Sequence, residues 1–452
     1  MCAGRTQISI LRLNRVSHPP QAAVARRIAA TLSQAGFEVY LVGGCVRDRL
    51  LGRDLHDLDL TTSARPADIA ALFPAALEVG VHFGVMLVHL EGVEVQVATF
   101  RTEDSYLDGR RPDRVCFETD VRLDVARRDF TINTLLEDPF TGEIIDHTGG
   151  RADLDARLIR AVGDPMDRFA EDHLRMLRAV RFAARLGFAI EPGTMAAIQR
   201  CAPRAALISP ERVRDEISRI LTEGQARRGF ELLDQSGLLQ VILPEAARMK
   251  GVRQPPEFHP EGDVWIHTLG LLERLECPSL ELALACLLHD VGKPGTQSFE
   301  DRIRFSGHDR LGAGIAREIL ARLRFPSAAI DAVCSMVAQH MKFKDAPKMT
   351  DGAFKRFARQ GIFDELLELH RIDLLASQRP LDNWHAVSQR RASIPGGQLR
   401  PAPLLRGRDL LQLGYPPGPR FSRILDALEE EQLEGRVTSR DQALEWLNRT
   451  FG

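Results

Sequence analysis

Residues 41–62, with the sequence LVGGCVRDRLLGRDLHDLDLTT, constrain the fold of this chain more than any other segment. The apolar run Val39–Val42 predicts a strand that ends at the adjacent glycines Gly43 and Gly44, and Cys45–Leu51 predicts a short helix. Because glycine carries no side chain, a glycine turn that opens a helix lets backbone N–H groups come close to a phosphate chain. The segment therefore predicts a strand, a turn and a helix suited to a phosphorylated ligand.

Two aspartates follow this turn at a spacing that suits metal binding. Leu58–Leu60 is predicted to lie in a second strand, and alternation along that strand puts Asp57 and Asp59 on the same face, about 7 Å apart. Two carboxylates so placed can share divalent ions that clamp the attacking and leaving oxygens of a phosphoryl transfer. A DxD pair alone is more often a solvated acidic strand, but the glycine turn before it favours a metal site.

Length and composition limit the number of domains, the possible partners and the location of the chain. At 452 residues the chain is too long for one hydrophobic core, so several domains are expected. The net charge is only −2, which means that a nucleic-acid partner would need a local basic groove. The sequence has no apolar run long enough to span a membrane, and its seven scattered cysteines favour reduced thiols and a cytoplasmic location.

Strand and helix signals divide the chain into an α/β head and a long helical body. Strand-like runs at Val85–Leu90 and Val93–Ala98 belong to the head, whereas the strand signal fades beyond about Leu154. The predicted fold class is α+β. The predicted parts are a lead-in at 1–20, a head at 21–150, a neck and body at 151–250, a third domain at 251–395 and a helical tail at 396–452.

Two arginine-rich motifs follow. In ARRDFTINTL, residues 126–135, Asp129 and Asn133 are spaced i, i+4, which predicts that they share a helix face beside Arg128. In EDHLRMLRAVRFAARLGF, residues 171–188, four arginines form one basic helical stripe: Arg175, Arg178, Arg181 and Arg185. Such a stripe is most often a solvated surface, and an Asp–Asn pair standing alone is most often a helix cap.

Histidines and aspartates in the third domain predict a second metal site. Neutral imidazole binds borderline metals well, although any single histidine here would more often be a packed or exposed residue. A consecutive His-Asp pair that ends an apolar helix before Gly-Lys-Pro makes the whole set favour metal binding. Its members are His267, His289, Asp290, His308, His340 and Asp373.

Together the first motifs resemble those of the class II nucleotidyltransferases, the branch of the polymerase β superfamily that contains CCA-adding enzymes and bacterial poly(A) polymerases. The histidine and aspartate set resembles the HD superfamily of metal phosphohydrolases. The resemblance implies a polymerase β-type nucleotidyltransferase head with a mixed β-sheet and helices. An all-α neck and body, an HD domain and a helical tail would follow.

For the glycine turn and the aspartate pair, the resemblance implies separate roles. Asp57 and Asp59 would be catalytic and would hold Mg²⁺. Gly43, Gly44 and Arg47 would lie near the triphosphate of the incoming nucleotide.

A third carboxylate is expected on the strand VEVQVATFRTE, residues 93–103. The family usually has an acidic residue five positions before the arginine of ATFR, where this chain has Gln96. Glu94 lies two residues earlier on the same strand face and can substitute after a small shift, so it is the third candidate catalytic residue. The resemblance also implies that the loop at 101–117 is flexible and covers the active site, and loops of this length are usually functional or disordered.

The arginine-rich motifs would bind the nucleotide. The resemblance implies that Arg128, Asp129 and Asn133 contact its ribose and triphosphate. Arg178 and Arg181 would belong to the same nucleotide-binding set.

Asp172 and Arg175, spaced i, i+3, can point together at one base, with Glu171 orienting the arginine. Cytosine and adenine each present an amino donor beside a ring-nitrogen acceptor, which suits one carboxylate and one guanidinium. Guanine and uracil reverse this pattern and would leave buried charges unpaired. The pair therefore predicts selection of CTP and ATP, and the resemblance implies that these two side chains act in place of a nucleic-acid template.

The resemblance as a whole implies addition of CCA to tRNA 3′ ends from CTP and ATP, with neither DNA nor a membrane as partner. Poly(A) polymerase, CC-adding and A-adding activities remain alternatives, although the acidic run EEEQLE near the end argues against a basic poly(A) polymerase extension. The HD set, with a transition metal, suggests cleavage of a phosphate or cyclic phosphate at an RNA end. A remote alternative is an HD phosphohydrolase with an inactive head.

Overall fold

A computed structural model describes residues 20–54, 58–80, 84–104, 114–257, 259–260, 262–299 and 302–451. Its residue contacts divide the chain into two compact units, Met1–Ile208 and Ser209–Gly452. Asp57, a predicted metal ligand, lies outside the described residues, and so does the middle of the loop predicted at 101–117.

The described part of the first unit is centred on a mixed β-sheet. The strands of this unit are β1 Val39–Val42, β2 Asp59–Thr62, β3 Leu77–Gly80, β4 Val85–Leu90, β5 Val93–Thr99, β6 Arg101–Asp104, β7 Arg114–Phe117, β8 Leu136–Glu137, β9 Ile144–Ile145, β10 Leu158–Ile159 and β11 Ala189–Ile190. Seven of them form one sheet in the order β3-β4-β5-β2-β1-β8-β9. The β2–β5 pair is parallel and the other pairs of this sheet are antiparallel.

Helices cover this sheet and continue beyond it. They are α1 Pro20–Gln34, α2 Gly44–Leu50, α3 Pro66–Leu72, α4 Val121–Ala126, α5 Gly150–Asp155, α6 Pro165–Glu171, α7 Leu174–Leu186 and α8 Pro192–Cys201, with 3-10 turns at Thr131–Asn133 and Ala202–Leu207. α1 packs on β1 and β5 and buries Ile28 and Leu32 completely. Val42, Phe100 and Val125 belong to a buried cluster that joins β1 to α4. This apolar burial is what fixes the sheet on its helices.

The second unit is mainly helical. Its helices are α9 Pro210–Thr222, α10 Ala226–Gln235, α11 Leu238–Ile242, α12 Pro244–Ala247, α13 Val264–Glu273, α14 Leu280–Leu288, α15 His308–Arg322, α16 Ser327–Gln339, α17 Asp351–Ala358, α18 Phe363–Ala376, α19 Asp382–Ser393, α20 Gly396–Leu399, α21 Gly407–Gln412, α22 Pro419–Leu433 and α23 Arg440–Phe451. Two strands, β12 Gln297–Phe299 and β13 Ile303–Phe305, form an antiparallel pair between α14 and α15. Within the described residues no helix is long and apolar enough to cross a membrane.

The acidic run near the end of the chain holds α22 against α17. Arg359 donates to both carboxylate oxygens of Glu429, at 2.6 and 3.0 Å. The backbone N–H of Gly352 donates to Glu434 Oε1 at 2.9 Å, and a Cβ at Gly352 would lie 2.7 Å from that oxygen. The run is therefore a set of paired contacts rather than a solvated acidic face.

The predicted α+β class is confirmed, with a sheet in the first unit and helices dominating the second. β1 and β4 have the predicted bounds, and α2 begins one residue earlier than predicted, at Gly44. The neck and body predicted at 151–250 are not purely helical, because β10 and β11 form a parallel pair there, and β12 and β13 interrupt the helices of the third domain. These strands of two or three residues are too short to produce an alternating pattern in the sequence. The predicted domain limits remain predictions.

Candidate catalytic site and metal centre

The glycine turn lies beside the ARRDFTINTL motif. Gly43 has a φ of +78°, in the left-handed region that glycine adopts without strain, and it precedes α2. Its N–H donates to the carbonyl of Leu135 at 3.3 Å. A Cβ at Gly43 would lie 3.5 Å from Arg128 Nη1 and 3.7 Å from the carbonyl oxygen of Asn133. Two motifs that are some 85 residues apart in the chain therefore share one surface.

Strand register decides which side chain lies beside Asp59. β2 and β5 run parallel, and their register pairs the half-buried Asp59 directly with Gln96. Glu94 lies two residues earlier on β5, where its Oε1 is 3.3 Å from Nδ1 of His89 on β4 and its side chain is 56% exposed. The position beside Asp59 thus carries an amide. The catalytic role of Glu94 stays a prediction.

A continuous set of hydrogen bonds joins the turn, the second motif and α7. Arg47 is buried and its Nη1 donates to Asn133 Oδ1 at 2.6 Å. Asn133 Nδ2 donates to Asp129 Oδ1 at 3.0 Å, and Arg178 Nε donates to Asp129 Oδ2 at 2.8 Å. The predicted common helix face of Asp129 and Asn133 is wrong, since α4 ends before them and Asn133 lies in a 3-10 turn. The two side chains meet because that turn folds back on Asp129.

The charge of Asp129 is maintained by its neighbours. Burial alone raises the pKa of this carboxyl, but the positive charge of Arg178 and the hydrogen bonds from Asn133 and Arg178 more than offset it and lower the pKa to about 2. Asp129 is therefore a carboxylate at neutral pH and holds Arg178 in one orientation.

The arginine stripe of α7 is not the solvated surface that such stripes usually form. Arg175 and Arg181 are 9% and 3% exposed. The guanidinium carbons of Arg47, Arg178 and Arg181 lie 5.2, 5.2 and 4.3 Å from the centre of the Phe182 ring. These three cations form a compact arginine-rich positive site around one aromatic ring, in which Arg47 is paired with Asp48 and Arg178 with Asp129.

Asp172 and Arg175 lie at the junction of two helices. α6 ends at Glu171 and α7 begins at Leu174, so the two residues do not share one helix. Asp172 Oδ1 accepts the N–H of Leu174 at 3.0 Å. Arg175 Nη1 donates to Glu171 Oε2 at 2.6 Å, the contact that the sequence predicts. Arg175 is thereby fixed beside the second motif, since its Nη2 also donates to the Arg127 carbonyl at 2.9 Å.

In the second unit, Asp290 lies between two pairs of histidines. Its Oδ2 is 3.1 Å from His289 Nε2 and 3.8 Å from His267 Nε2, and its Oδ1 is 3.5 Å from His308 Nε2 and 3.9 Å from His340 Nε2. These five residues are buried. His267 Nε2 is also 3.0 Å from Oδ1 of a further predicted ligand, Asp373. All six predicted residues are thus brought together: five of them form two groups that share the Asp290 carboxylate, and Asp373 adjoins the first group through His267.

Backbone carbonyls orient three of these imidazole rings. Nδ1 lies 3.0 Å from the Cys286 carbonyl in His289, 2.8 Å from the Phe305 carbonyl in His308 and 2.7 Å from the Val337 carbonyl in His340. A carbonyl can only accept, so each Nδ1 carries the proton and each Nε2 presents a lone pair. Burial, followed by the neighbouring histidines, lowers the pKa of His340 to about 4. Imidazole rings whose Nε2 atoms converge on one carboxylate fit a metal ion.

Three protein-family descriptions match successive parts of the chain. The Poly A polymerase head domain matches residues 39–160, the probable RNA and SrmB-binding site of polymerase A matches 187–250, and the HD domain matches 263–377. The CCA-adding enzyme of Geobacillus stearothermophilus is 32% identical over 432 residues, which cover 94% of this chain and 96% of the relative. That of Levilactobacillus brevis is 34% identical over 430 residues, which cover 94% and 97%.

The chain belongs to the CCA-adding enzyme family.

A solved member of the CCA-adding enzyme family has the same fold. The crystal structure of the Bacillus stearothermophilus enzyme in complex with CTP covers 96% of this chain and 99% of its own, with a TM-score of 0.74 and 30% identity. The Thermotoga maritima enzyme complexed with tRNA covers 96% and 97%, with a TM-score of 0.62 and 18% identity, and shares the fold. The predicted nucleotidyltransferase head followed by an HD domain is confirmed.

The Poly A polymerase head domain and the HD domain both indicate that this member of the family uses a divalent metal. In the HD domain the donors fit such an ion, since imidazole nitrogens and the Asp290 carboxylate converge in a buried site. In the head, Asp59 supplies a carboxylate at the start of β2.

The sequence reasoning missed several residues that support these sites. The fully buried Asp124 binds Arg127 at 2.5 Å and Arg128 at 2.9 Å, and its spacing of i, i+3 and i, i+4 to these arginines was the available signal. In the HD domain, Lys293 Nζ lies 2.6 Å from Asp290 Oδ2. A Cβ at Gly292 would lie 2.2 Å from the His308 carbonyl oxygen. This close approach has no signature in the local sequence.

Proposed function

We propose that this protein adds CCA to the 3′ ends of tRNA, with CTP and ATP as substrates and without a nucleic-acid template. The observation that carries the proposal is the similarity to CCA-adding enzymes along 94% of the chain. One similar enzyme was solved with CTP. The six cysteines among the described residues form no disulfide, which agrees with a reaction in the cytoplasm.

In the head, Asp57 and Asp59 would hold Mg²⁺ as catalytic carboxylates, with Glu94 as a third candidate. Mg²⁺ held by these carboxylates would lower the pKa of the terminal 3′-hydroxyl and would offset the charge of the leaving pyrophosphate. Gly43 and Gly44 allow the backbone to approach the triphosphate closely.

The positive site around Phe182 would bind the triphosphate. Arg47, Arg178 and Arg181 surround this ring, and Asp129 fixes Arg178 through a charged hydrogen bond. Arginine suits the task because its planar group donates two parallel hydrogen bonds to phosphate oxygens.

Arg128 and Asn133 would bind the nucleotide beside this positive site. Arg128 is held by Asp124, and Asn133 by Arg47 and Asp129. Fixed side chains lose little conformational freedom when the nucleotide binds, which favours affinity.

Asp172 and Arg175 would select the base. A carboxylate that accepts from the exocyclic amino group and a guanidinium that donates to the ring nitrogen fit cytosine and adenine, and reject guanine and uracil. The bonds from Glu171 and the Arg127 carbonyl would hold Arg175 ready for this contact.

The test uses a tRNA transcript that ends at the discriminator base, with CTP and ATP supplied separately and together. We expect growth by three nucleotides only when both are present, and an Asp59→Ala protein should add none. Growth that stops after two C residues, a single A, or a long ladder with ATP alone would assign a CC-adding, A-adding or poly(A) polymerase activity instead.

A second activity is favoured by the two ligand groups that share Asp290. We propose that the HD domain, loaded with a transition metal, hydrolyses a phosphate or cyclic phosphate at an RNA end. Two metals close together can bind the phosphate and supply a hydroxide, and the buried histidines hold their Nε2 lone pairs toward that position. Hydrolysis of a 2′,3′-cyclic nucleotide by the full chain, with each divalent metal in turn, tests this activity. No hydrolysis with any metal would leave the HD domain as a structural part.

A further inference from the structure

Gln96 stands where a carboxylate would complete a metal site beside Asp59. The parallel register of β2 and β5 pairs the two residues directly. An amide oxygen is a neutral ligand, and the affinity of a site for a hard divalent cation falls as its ligands lose charge. The amide therefore removes one negative charge from the position nearest to Asp59.

Glu94 does not restore that charge at the same place. Two residues along a strand correspond to about 7 Å, so the Glu94 backbone is well displaced from the Asp59–Gln96 pair. Its carboxylate lies 3.3 Å from His89 Nδ1 across the β4–β5 pair, and 56% of its side chain is exposed. The contact with His89 directs Glu94 toward β4, whereas Asp59 belongs to β2 on the other side of β5.

We propose that Gln96 makes the catalytic metal site of the head a low-affinity site, so that nucleotide addition responds to the concentration of free Mg²⁺. This inference rests on the proposed CCA-adding activity for its functional part, and on the register and charge for its binding part. Gln96 contributes at most a neutral oxygen to the ion, so within the Asp59–Gln96 pair only Asp59 supplies negative charge. The site then fills only when free Mg²⁺ is high.

Metal binding by the full-length protein tests the binding part without any reaction. Mn²⁺, a paramagnetic substitute for Mg²⁺, is titrated into the wild type, Gln96→Glu and the matched control Gln398→Glu, which adds the same charge at an exposed position. The HD domain is identical in all three proteins, so a difference between isotherms belongs to the substituted position. We expect Gln96→Glu to bind one ion about tenfold or more tightly than the other two proteins.

The functional part is tested by the Mg²⁺ concentration that gives half-maximal nucleotide addition to tRNA. This concentration should fall in Gln96→Glu by the same factor as the Mn²⁺ affinity rises. Equal isotherms for the wild type and Gln96→Glu would overturn the proposal, because Glu94 or another group would then already supply the charge. Absence of nucleotide addition at every Mg²⁺ concentration would instead count against the CCA-adding activity, and the isotherms would still decide the role of Gln96.

Discussion

Nε2 of His308 lies 3.2 Å from Nε2 of His340, while Nδ1 of each ring faces a backbone carbonyl. Two nitrogens that both present lone pairs repel each other at this distance, and both rings are buried. A cation between the rings and the nearby Asp290 carboxylate removes the repulsion. The pair is therefore preorganised for a metal ion before any ion arrives.

Removal of metal should destabilise the second unit. An ion present at about a hundred times its dissociation constant stabilises the folded form by about 3 kcal/mol, and chelation removes this contribution. We expect a chelator to lower the melting temperature of the full chain by several degrees, and re-added metal to restore it.

Metal content identifies the ligands. His308→Ala and His340→Ala should each lose at least one equivalent of metal by elemental analysis, whereas His385→Ala, at an exposed position, should keep the wild-type content. Equal metal content in all three variants would mean that the histidine pair does not bind the ion.

Asp129→Asn should impair nucleotide addition. The substitution removes the charge that holds Arg178 and weakens a charged hydrogen bond, at a cost of about 2 kcal/mol, which corresponds to roughly a 30-fold loss in kcat/KM for CTP and ATP. Asp155→Asn is the matched control, since the ion pair that Asp155 forms with Arg151 is exposed and its loss should change activity little. Equal activity of the two variants would contradict the role of Asp129 in orienting Arg178.

The stability of the first unit should depend on pH through Asp129. Its folded pKa of about 2 lies below the value of about 3.9 expected in the unfolded chain. A carboxyl with a lowered folded pKa stabilises the fold fully above the unfolded pKa, and this contribution is lost as the pH falls from about 4 to about 2. The difference in unfolding free energy between the wild type and Asp129→Asn, measured by thermal unfolding, should shrink as the pH falls across this range. A constant difference would show that the Asp129 carboxyl does not titrate in this window.

Gly292→Ala should disrupt the HD domain. The new methyl group would lie 2.2 Å from the His308 carbonyl oxygen and 2.6 Å from the backbone nitrogen of Gly312, so α15 must move away from Asp290. We expect a loss of about 2 kcal/mol or more in unfolding free energy, together with loss of metal.

Gly314→Ala is the control, because its Cβ would meet nothing within 4 Å and alanine favours a helix. It should leave the metal content unchanged and stabilise α15 slightly. Comparable unfolding free energies for the two variants would show that the close backbone contact at Gly292 is not required for the stability of the HD domain.

Local patterns predicted the elements that depend on neighbouring residues. Val39–Val42 is a strand with the predicted bounds, and the glycine turn is followed by α2, because apolar runs and glycines act within a few residues of themselves. The prediction that Asp129 and Asn133 share a helix face was wrong, although their side chains are in contact. A spacing of i, i+4 also fits a tight turn that folds back, so it could not decide between the two.

The sequence by itself determined the α+β class, the family, the order of motifs and the six HD residues, since these depend on residue types at fixed positions. Only the tertiary structure decided that Gln96 is paired with Asp59, that Asp290 faces two histidine pairs and that Gly292 touches the backbone of α15. Strand register and helix packing are set by the burial of many side chains at once, and no short stretch of sequence contains that information.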